Sequence, residues 1–301
     1  MTIKQSCPKC GSLNSLIKNG KSKDGTQRYK CHSCKQTFIL TNEVTKHLKL
    51  SPYIIKRFIG YMIDDVTLDV IARNLDINIK TAHYYRYLVF NALKSYQQHV
   101  ILSGTIIIDE TFVRIREKKY KLQRPDGKGI RGLSNNLLCI ITVINLQGIC
   151  VAKVSSRAMG VPDDYIRLLN INIGRLDLII HDGGTHQHKF MNQFNCKKIN
   201  VGTDKTDSYS TNLVDSLHSN IKRYLFKHSG YRLKNLQHYL NFFIYRYNQL
   251  SQSIYTNKRQ LLEVKTEMID DLYQKLIKSA KSVSYKTFLN DDGITDILKS
   301  K

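Results

Sequence analysis

Two aspartates each follow an apolar run of the chain. Asp109 closes the β-branched run 105–108, and Asp182 follows the run 176–180 after one histidine. Runs of this kind predict buried strands. A carboxylate at the end of a buried strand is a candidate functional group, and here two strands end in this way.

A third aspartate lies in a segment with the pattern of a helix. Residues 212–223 place apolar side chains on one face, while Asp215, His218, Ser219 and Lys222 stand at i, i+3, i+4 and i+7. Side chains at these spacings share one face of a helix. We therefore expect a polar face that carries an acid, an imidazole and an ammonium group.

Several carboxylates in one place suit chemistry on phosphodiesters. Two divalent ions about 3.5–4 Å apart can activate the attacking oxygen and stabilise the leaving one. Oxygen ligands favour Mg²⁺ or Mn²⁺. In this hypothesis Asp109 bridges the ions, Asp182 binds one and Asp215 the other. Lys222 would steady a phosphate, and His218 would orient a phosphate or a water.

Other interpretations of these acids remain open. Any single aspartate could be a helix cap or a surface charge, so only the three together indicate catalysis. Asp204 and Asp207 could replace Asp215, although they lack its helical neighbours. Glu110 follows Asp109 directly, so on a strand it should point to the opposite face.

The cysteines predict a metal site in residues 1–40. Cys7, Cys10, Cys31 and Cys34 form two Cys-x-x-Cys pairs about 20 residues apart, which is the spacing of a four-thiolate zinc ribbon. A redox Cys-x-x-Cys would need a βαβ setting that this segment lacks. The remaining cysteines stand alone and are expected to be buried thiols; they are Cys139, Cys150 and Cys196.

Residues 41–98 predict a helix-turn-helix-like DNA-binding domain. Ser51 precedes a proline at the start of one helix, Thr67 caps a second, and a third is expected over 79–93 after a short turn. In such a motif the last helix enters the major groove. An ordinary helical bundle has the same pattern. The residues expected to contact DNA are Lys80, Thr81, His83, Tyr84 and Arg86.

The charge balance indicates a nucleic-acid partner. The 301 residues include 47 Lys and Arg against 24 Asp and Glu, a net charge of +23. A merely adhesive or ribosome-associated protein would show the same excess. The stretch 116–131 is also basic. It could bind the DNA backbone or simply be a solvated loop, and the two interpretations are equally compatible with its cations, among them Lys118, Lys119, Lys121 and Arg124.

The elements together predict a multidomain α/β chain. Apolar runs at 137–142 and 149–154 flank a turn and add a hairpin to the first strand. Two acids at strand ends and one on a later helix are the layout of an RNase-H-like site. We expect four segments: a zinc ribbon (1–40), the helix-turn-helix-like domain (41–98), an RNase-H-like mixed-sheet catalytic domain (99–253) and a basic C-terminal tail (254–301).

Localisation is expected to be cytoplasmic and no membrane contact is expected. The chain opens with polar residues, and no stretch approaches the roughly 18 uninterrupted apolar residues of a membrane span.

The motifs resemble those of the DDE-type transposases of bacterial insertion sequences, in the zinc-ribbon, ISXO-like branch. The resemblance covers about residues 7–248 and rests on the two cysteine pairs, the strands ending at Asp109 and Asp182, and the block Asn212-x-x-Asp215-Ser-Leu-His218-Ser219-x-x-Lys222, followed by Tyr239 and Arg246-Tyr-Asn248. Asp215 stands where this family usually has Asn or Glu.

The resemblance implies an RNase-H-like fold and metal-dependent cleavage and joining of double-stranded DNA at the terminal inverted repeats of a mobile element. It also implies a dimer or larger complex on the bacterial nucleoid. Two other functions fit the same motifs: a catalytically inactive DNA-binding regulator derived from a transposase, and an RNase-H-like nuclease or resolvase that cuts without joining.

Overall fold

A computed structural model provides the three-dimensional structure of the chain. It describes residues 7, 10, 12, 15–23, 25, 27–39, 48–126, 130, 132–203, 209–253, 257–279, 294, 297 and 298. Asp204 and Asp207, the alternative acids of the sequence analysis, lie outside the described residues. No helix in the described part is both long and apolar enough to cross a membrane.

The N-terminal segment is a three-stranded antiparallel sheet. Its strands β1 (Leu16–Lys21), β2 (Gln27–Cys31) and β3 (Thr37–Ile39) lie in that order. The fully buried residues described here are only Cys7, Leu16 and Cys31. So small an apolar cluster cannot stabilise the sheet by itself, which is the usual reason for a metal in a module of this size.

Three helices follow, as the sequence predicts. They are α1 (Pro52–Ile63), α2 (Leu68–Asn74) and α3 (Ile79–Ala92). The Ser51 hydroxyl accepts a hydrogen bond from the Ile54 N–H, and Asn78 caps α3 by accepting from the Lys80 N–H at 2.8 Å. Short polar side chains at these positions satisfy amides that have no partner within the helix.

The large domain is built on a mixed five-stranded sheet. Its strands are β4 (Leu102–Arg114), β5 (Leu137–Asn145), β6 (Cys150–Arg157), β7 (Ile173–His181) and β8 (Lys197–Asn200), in the spatial order β6-β5-β4-β7-β8. Strands β4, β5 and β6 are antiparallel, whereas β7 and β8 run parallel to β4. This order and these directions confirm the RNase-H-like fold predicted from the sequence.

Helices cover both faces of this sheet. On one face lie α6 (Asn212–Lys227) and α7 (Leu236–Gln252), packed on the strand side that presents Ile107 and Ile140. On the other lie α4 (Pro162–Leu169) and α5 (His188–Met191), packed on the side that presents Ile106, Ile108 and Ile141. Since side chains alternate along a strand, Asp109 shares the face of α6 and Glu110 that of α4.

Side-chain amides protect the edge strand β6. The Asn248 amide accepts from the Cys150 N–H and donates to the Cys150 carbonyl, both at 2.9 Å. Gln97 makes the same pair of bonds with Ala152, and Gln237 accepts from the Val154 N–H at 2.8 Å. Every second residue from Cys150 to Val154 is thereby paired, which hinders another strand from adding to this part of the edge.

A further helix, α8 (Lys258–Ser279), occupies much of the segment predicted as a basic tail. It packs against α1 and α3, and its core positions include Met268, Leu272 and Leu276. Two ion pairs of 2.6 Å, Lys56 with Asp270 and Lys265 with Asp64, tie it to α1 and to the turn that follows. This helix therefore completes the core of the helical domain.

Candidate active site

Strand register brings the first two acids to the same end of the sheet. Ile107 of β4 pairs with Ile180 of β7 in parallel, so Asp109 and Asp182, each two residues further along, stand level on neighbouring strands. Both side chains therefore reach the edge where the two strands diverge. Asp182 follows the end of β7 as predicted. The predicted strand end at Asp109 is wrong, because β4 continues to Arg114 and Asp109 lies inside it. The register nevertheless brings the two acids close together.

Helix α6 adds the third acid from above the sheet. Ligand atoms of Asp109, Asp215 and His218 all lie within 4.8 Å of one another, close enough to hold one metal ion together. Asp215 lies in the first turn of the helix, where the Thr211 hydroxyl donates a hydrogen bond of 2.9 Å to one of its oxygens. No ion pair with a described lysine or arginine neutralises Asp109 or Asp215. The cluster thus has the charge and the atoms that a divalent cation needs.

Thr142 fixes the tautomer of His218. The Thr142 hydroxyl has one proton and donates it to the Asp109 carbonyl oxygen at 2.8 Å. Its oxygen lies 2.6 Å from His218 Nε2 and can only accept there, so the imidazole proton resides on Nε2. The lone pair of Nδ1 is then free, 3.7 Å from Asp109 Oδ2 and inside the acidic cluster. This is the tautomer in which Nδ1 can bind a metal ion.

His218 is neutral in this position. Burial, reinforced by the nearby Lys222 charge, lowers the pKa of His218 to about 4, against the opposite effect of Asp215. Its 3.7 Å contact with Asp109 is therefore not an ion pair at neutral pH. A neutral imidazole that keeps its lone pair can bind a metal ion but cannot act as a counter-ion.

Asp109 carries the clearest electrostatic signature of the site. Burial is the largest cause that raises its pKa to about 7, and the charges of Glu110, Asp182 and Asp215 act in the same direction. The hydrogen bond of 2.8 Å from the Glu110 N–H opposes them without cancelling them. An ionised, half-buried carboxyl among other acids destabilises the folded state, and a bound cation would relieve this repulsion.

Two hydrogen bonds orient the exposed side chain of Asp182. Its Oδ1 accepts from the Gly184 N–H at 3.0 Å and from the Gln187 side-chain amide at 3.2 Å. Gly183 between them has φ of +93°, and a Cβ there would meet the Asn200 amide nitrogen at 2.6 Å, so the turn requires glycine. The second oxygen of Asp182 keeps its lone pairs for another ligand.

Glu110 points away from Asp109, as the sequence predicts, but it is still connected to the site. Its Oε1 accepts from the Tyr165 hydroxyl and, at 2.9 Å, from the Gln187 amide that also bonds Asp182; the His186 ring lies equally close. Sequence reasoning missed Gln187 and Thr142 entirely. The Gln-His-Lys stretch after Asp182 has no pattern that marks such a role, and Thr142 looked like any strand residue.

Lys222 lies further along α6, one helical turn from His218, with its side chain exposed. Its charge is close enough to influence the His218 ring. The predicted catalytic residues therefore form one cluster of two acids and a histidine. The charge of Asp182 acts on Asp109 of this cluster, and the charge of Lys222 acts on His218.

The residues predicted to contact DNA through α3 differ in accessibility. Lys80 is exposed at the start of the helix, whereas Thr81, His83 and Tyr84 are half-buried. Arg86 is directed inward: it donates to His83 Nδ1 at 3.0 Å and its guanidinium lies over the Tyr239 ring of α7 at 5.3 Å. By contrast, the loop residues are all exposed; they are Lys118, Lys119, Lys121 and Arg124.

The four N-terminal cysteines form a second, separate cluster. Cys7 Sγ lies 3.8 Å from Cys34 Sγ, and Cys10 Sγ lies 3.8 Å from Cys31 Sγ, with all four sulfurs within 4.8 Å. With metal–sulfur bonds of about 2.3 Å, a tetrahedron has edges of about 3.8 Å, so the four thiols match a tetrahedral ion.

Hydroxyl groups favour the thiolate form of Cys31 in this cluster. Ser12 and Ser15 lie within 3.4 and 3.3 Å of Cys31 Sγ, and their hydrogen bonds lower the pKa of Cys31 to about 5. A thiolate is the form that binds metal. The isolated cysteines Cys139 and Cys150 are buried and Cys196 is half-buried.

Comparisons with known proteins agree with the order of these segments. A family model of the InsA N-terminal domain, a zinc ribbon, matches residues 1–35, and one of the ISXO2-like transposase domain matches residues 101–248. Among solved structures, a pre-cleavage Mos1 transpososome is 10% identical with a TM-score of 0.30, covering 82% of this chain and 84% of that chain. The Mos1 strand transfer complex is 11% identical with a TM-score of 0.31, covering 78% and 79%.

The two family models match the two segments that carry the candidate metal clusters. The second model spans the whole cluster of acids, from Asp109 through Asp182 to Asp215. By these two matches the chain belongs to the DDE-type transposases of insertion sequences, in the branch that joins an InsA-like zinc ribbon to an ISXO2-like transposase domain.

Proposed function

We propose that this transposase cleaves and joins DNA strands at a divalent-metal site formed by Asp109, Asp182, Asp215 and His218. One observation carries the proposal: ligand atoms of Asp109, Asp215 and His218 lie within 4.8 Å of one another, beside Asp182. Three carboxylates and a neutral imidazole concentrate negative charge that no described cation pairs with. The chemistry of this donor set fits Mg²⁺ or Mn²⁺.

The imidazole distinguishes between these two ions. A carboxylate-only site suits Mg²⁺, whereas a nitrogen ligand is better accommodated by Mn²⁺. Because Nδ1 of His218 is the unprotonated nitrogen, it supplies that ligand without losing a proton. We therefore expect Mn²⁺ to support activity at lower concentration than Mg²⁺.

The side chains have distinct tasks in strand cleavage and transfer. Divalent ions supply activation of the attacking oxygen and stabilisation of the leaving one. Asp109 must be deprotonated to take part, and Asp182 presents the oxygen that Gln187 and Gly184 leave free. Lys222, exposed on α6 beyond His218, is placed to bind a phosphate next to the scissile one.

DNA binding is assigned to three basic surfaces. These are the zinc ribbon, the start of α3 at Lys80, and the loop with Lys118, Lys119, Lys121 and Arg124. Their charge suits the phosphates of double-stranded element ends and target DNA. Arg86 is assigned to packing against Tyr239 and not to base contacts. Joining two ends requires two sites, so we propose a homodimer or higher oligomer, with Zn²⁺ in the ribbon.

The test is strand cleavage and transfer by the full chain. DNA that carries the ends of the element is incubated with protein and Mn²⁺ or Mg²⁺, using the wild type and Asp109→Asn, Asp182→Asn and Asp215→Asn. Loss of a metal ligand should cost more than the 10- to 100-fold typical of residues behind the ligands, so we expect at least about 100-fold slower cleavage. Asp177→Asn, an exposed acid on β7, is the matched control.

The products separate this proposal from its rivals. Cleavage without joined products would identify a nuclease or resolvase. Specific binding without metal-dependent cleavage would identify a regulator. Full activity of any of the three site variants would remove that residue from the site.

A further inference from the structure

A groove runs beside the active site along α6. It has a volume of about 420 Å³ and lies between the end of β4 and the helix. The cationic and aromatic side chains that line it are Arg114, Arg116, Lys222, Arg223, Phe226 and Tyr231. We refer to it as the α6 groove.

The charge of the α6 groove is entirely positive among the described residues that line it. Four of them are cationic and none is acidic. Arg114, Arg116 and Lys222 are exposed, and the structure pairs none of them with a described carboxylate. Unpaired cations lining a groove favour a polyanionic occupant, as a nucleic-acid backbone is.

An exposed aromatic ring stands among these cations. The Phe226 side chain is 72% exposed, although it lies on a helix whose apolar face is otherwise well buried. Nothing among the described residues covers this ring. A phenylalanine so exposed is unfavourable in the free protein and becomes favourable when another flat apolar surface stacks on it.

Helical phase connects Phe226 with the metal site. Phe226 stands four residues after Lys222 and eleven after Asp215, so the three share one stripe of α6. At about 1.5 Å per residue, Lys222 lies about 10 Å and Phe226 about 16 Å along the helix from Asp215.

We propose that the α6 groove binds unpaired nucleotides of the DNA strand next to the scissile phosphate, with one base stacked on Phe226. This inference rests on the proposed function for the position of the scissile phosphate. In a duplex both faces of each base are already stacked, so a duplex would use only the cations and leave Phe226 in water. A base released from the helix offers the face that the ring needs.

The experiment compares single-stranded and duplex DNA. Full-length protein without Mg²⁺ or Mn²⁺ is titrated into fluorescein-labelled oligothymidine of about 20 nucleotides, longer than the sites that such grooves occupy, and into a duplex of equal length, with anisotropy as the readout. Phe226→Ala should weaken oligothymidine binding about tenfold, the order expected for loss of one stacked base, and change duplex binding less than about twofold. Phe226→Trp should restore it.

Leu262→Ala is the control. Leu262 is also an exposed apolar residue, 55% exposed on α8, but it lies beside the acidic residues Glu263 and Glu267, which would repel DNA. Oligothymidine that contains 5-iododeoxyuridine should photo-crosslink to the peptide carrying Phe226. Unchanged oligothymidine binding by Phe226→Ala, equal losses on both DNAs, or crosslinks only elsewhere would each overturn the proposal.

Asp109→Asn separates this inference from the proposed function. Because binding is measured without the catalytic metal, the effect of Phe226→Ala on oligothymidine binding is obtained independently of the cleavage assay, in which Asp109→Asn is the variant. If Asp109→Asn still cleaves DNA, the proposed catalytic site is wrong while a Phe226 effect on binding stands.

Discussion

Replacing Asp109 with asparagine should stabilise the protein in the absence of Mg²⁺ and Mn²⁺ while it removes catalysis. The carboxyl is 19% exposed and has its pKa raised from 3.8 to about 7, first by burial and then by Glu110, Asp182 and Asp215. Asparagine has the same shape and no charge to bury. The expected gain in stability equals the free energy by which ionised Asp109, partly buried among other acids, destabilises the folded wild type.

The sign and the magnitude follow from the pKa of Asp109. Between pH 4 and 7 the folded chain keeps a proton that the unfolded chain releases, so wild-type stability falls as pH rises through this range. Three pKa units correspond to about 4 kcal/mol, which partial exposure reduces to about 2 kcal/mol. For a domain of this size, Asp109→Asn should therefore raise the melting temperature by about 4 to 8 °C at pH 8. At pH 4 the difference between the two proteins should be close to zero.

Thermal unfolding of both proteins across this pH range tests the reasoning. Mn²⁺ should raise the melting temperature of the wild type more than that of Asp109→Asn, because the ion neutralises a charge that the variant lacks. Asp177→Asn, with its exposed carboxyl, should show neither effect. If Asp109→Asn is no more stable than the wild type at pH 8, or if the difference is independent of pH, the electrostatic account of the site is wrong.

Three further changes probe the residues behind the ligands and the zinc ribbon. Thr142→Val removes the acceptor for His218 Nε2 and should weaken Mn²⁺ binding 10- to 100-fold by calorimetry, whereas Thr142→Ser should retain it. Gln187→Met removes the amide that holds Asp182, so the metal concentration for half-maximal cleavage should rise with little change in DNA affinity. Cys31→Ser should lose zinc and unfold the ribbon, seen as faster amide exchange there, while the transition of the catalytic domain is unchanged.

The sequence was informative where chemistry depends on local pattern. Apolar runs that end in Asp109 and Asp182 predict strand ends, which is right for Asp182 after β7 and wrong for Asp109 inside β4. Parallel register still makes the two acids neighbours. Helical spacing from Asp215 predicts that His218 and Lys222 share its face, which the structure of α6 confirms. These inferences require only the periods of the strand and the helix.

Local sequence patterns do not predict which distant elements pack against each other. Thr142 reaches His218 only because β5 pairs with β4 so that Thr142 lies opposite Asp109. The inward orientation of Arg86 depends on α7, which supplies Tyr239 and covers that side of α3. Periodicity identifies the face of a helix but not the element that packs on it, so the side of α3 left for DNA was not predictable.

The last prediction concerns how the helical domain holds α6. Asp65, in the turn after α1, accepts from Lys227 and from the His228 ring, each at 2.9 Å, at the end of α6, whose first turn carries Asp215. Burial raises the pKa of Asp65, but the hydrogen bonds and charges of His228 and Lys227 outweigh it and lower the pKa overall. The stabilisation is therefore fully present above the unfolded pKa and is lost as pH falls through the lowered value.

Asp65→Asn isolates this charge, because asparagine tolerates the positive φ of 59° at this position. We expect it to cost about 1.5 kcal/mol at pH 7, the lower end of the range for hydrogen bonds to a charged group because this pair is partly exposed, and less at low pH. Asp64→Asn is the adjacent control: its pair with Lys265 is more exposed and should contribute under about 1 kcal/mol. Equal losses in the two variants would mean that Asp65 is an ordinary surface charge. A larger loss for Asp65→Asn with slower strand cleavage would show that the helical domain positions α6, and with it Asp215 and His218, for catalysis.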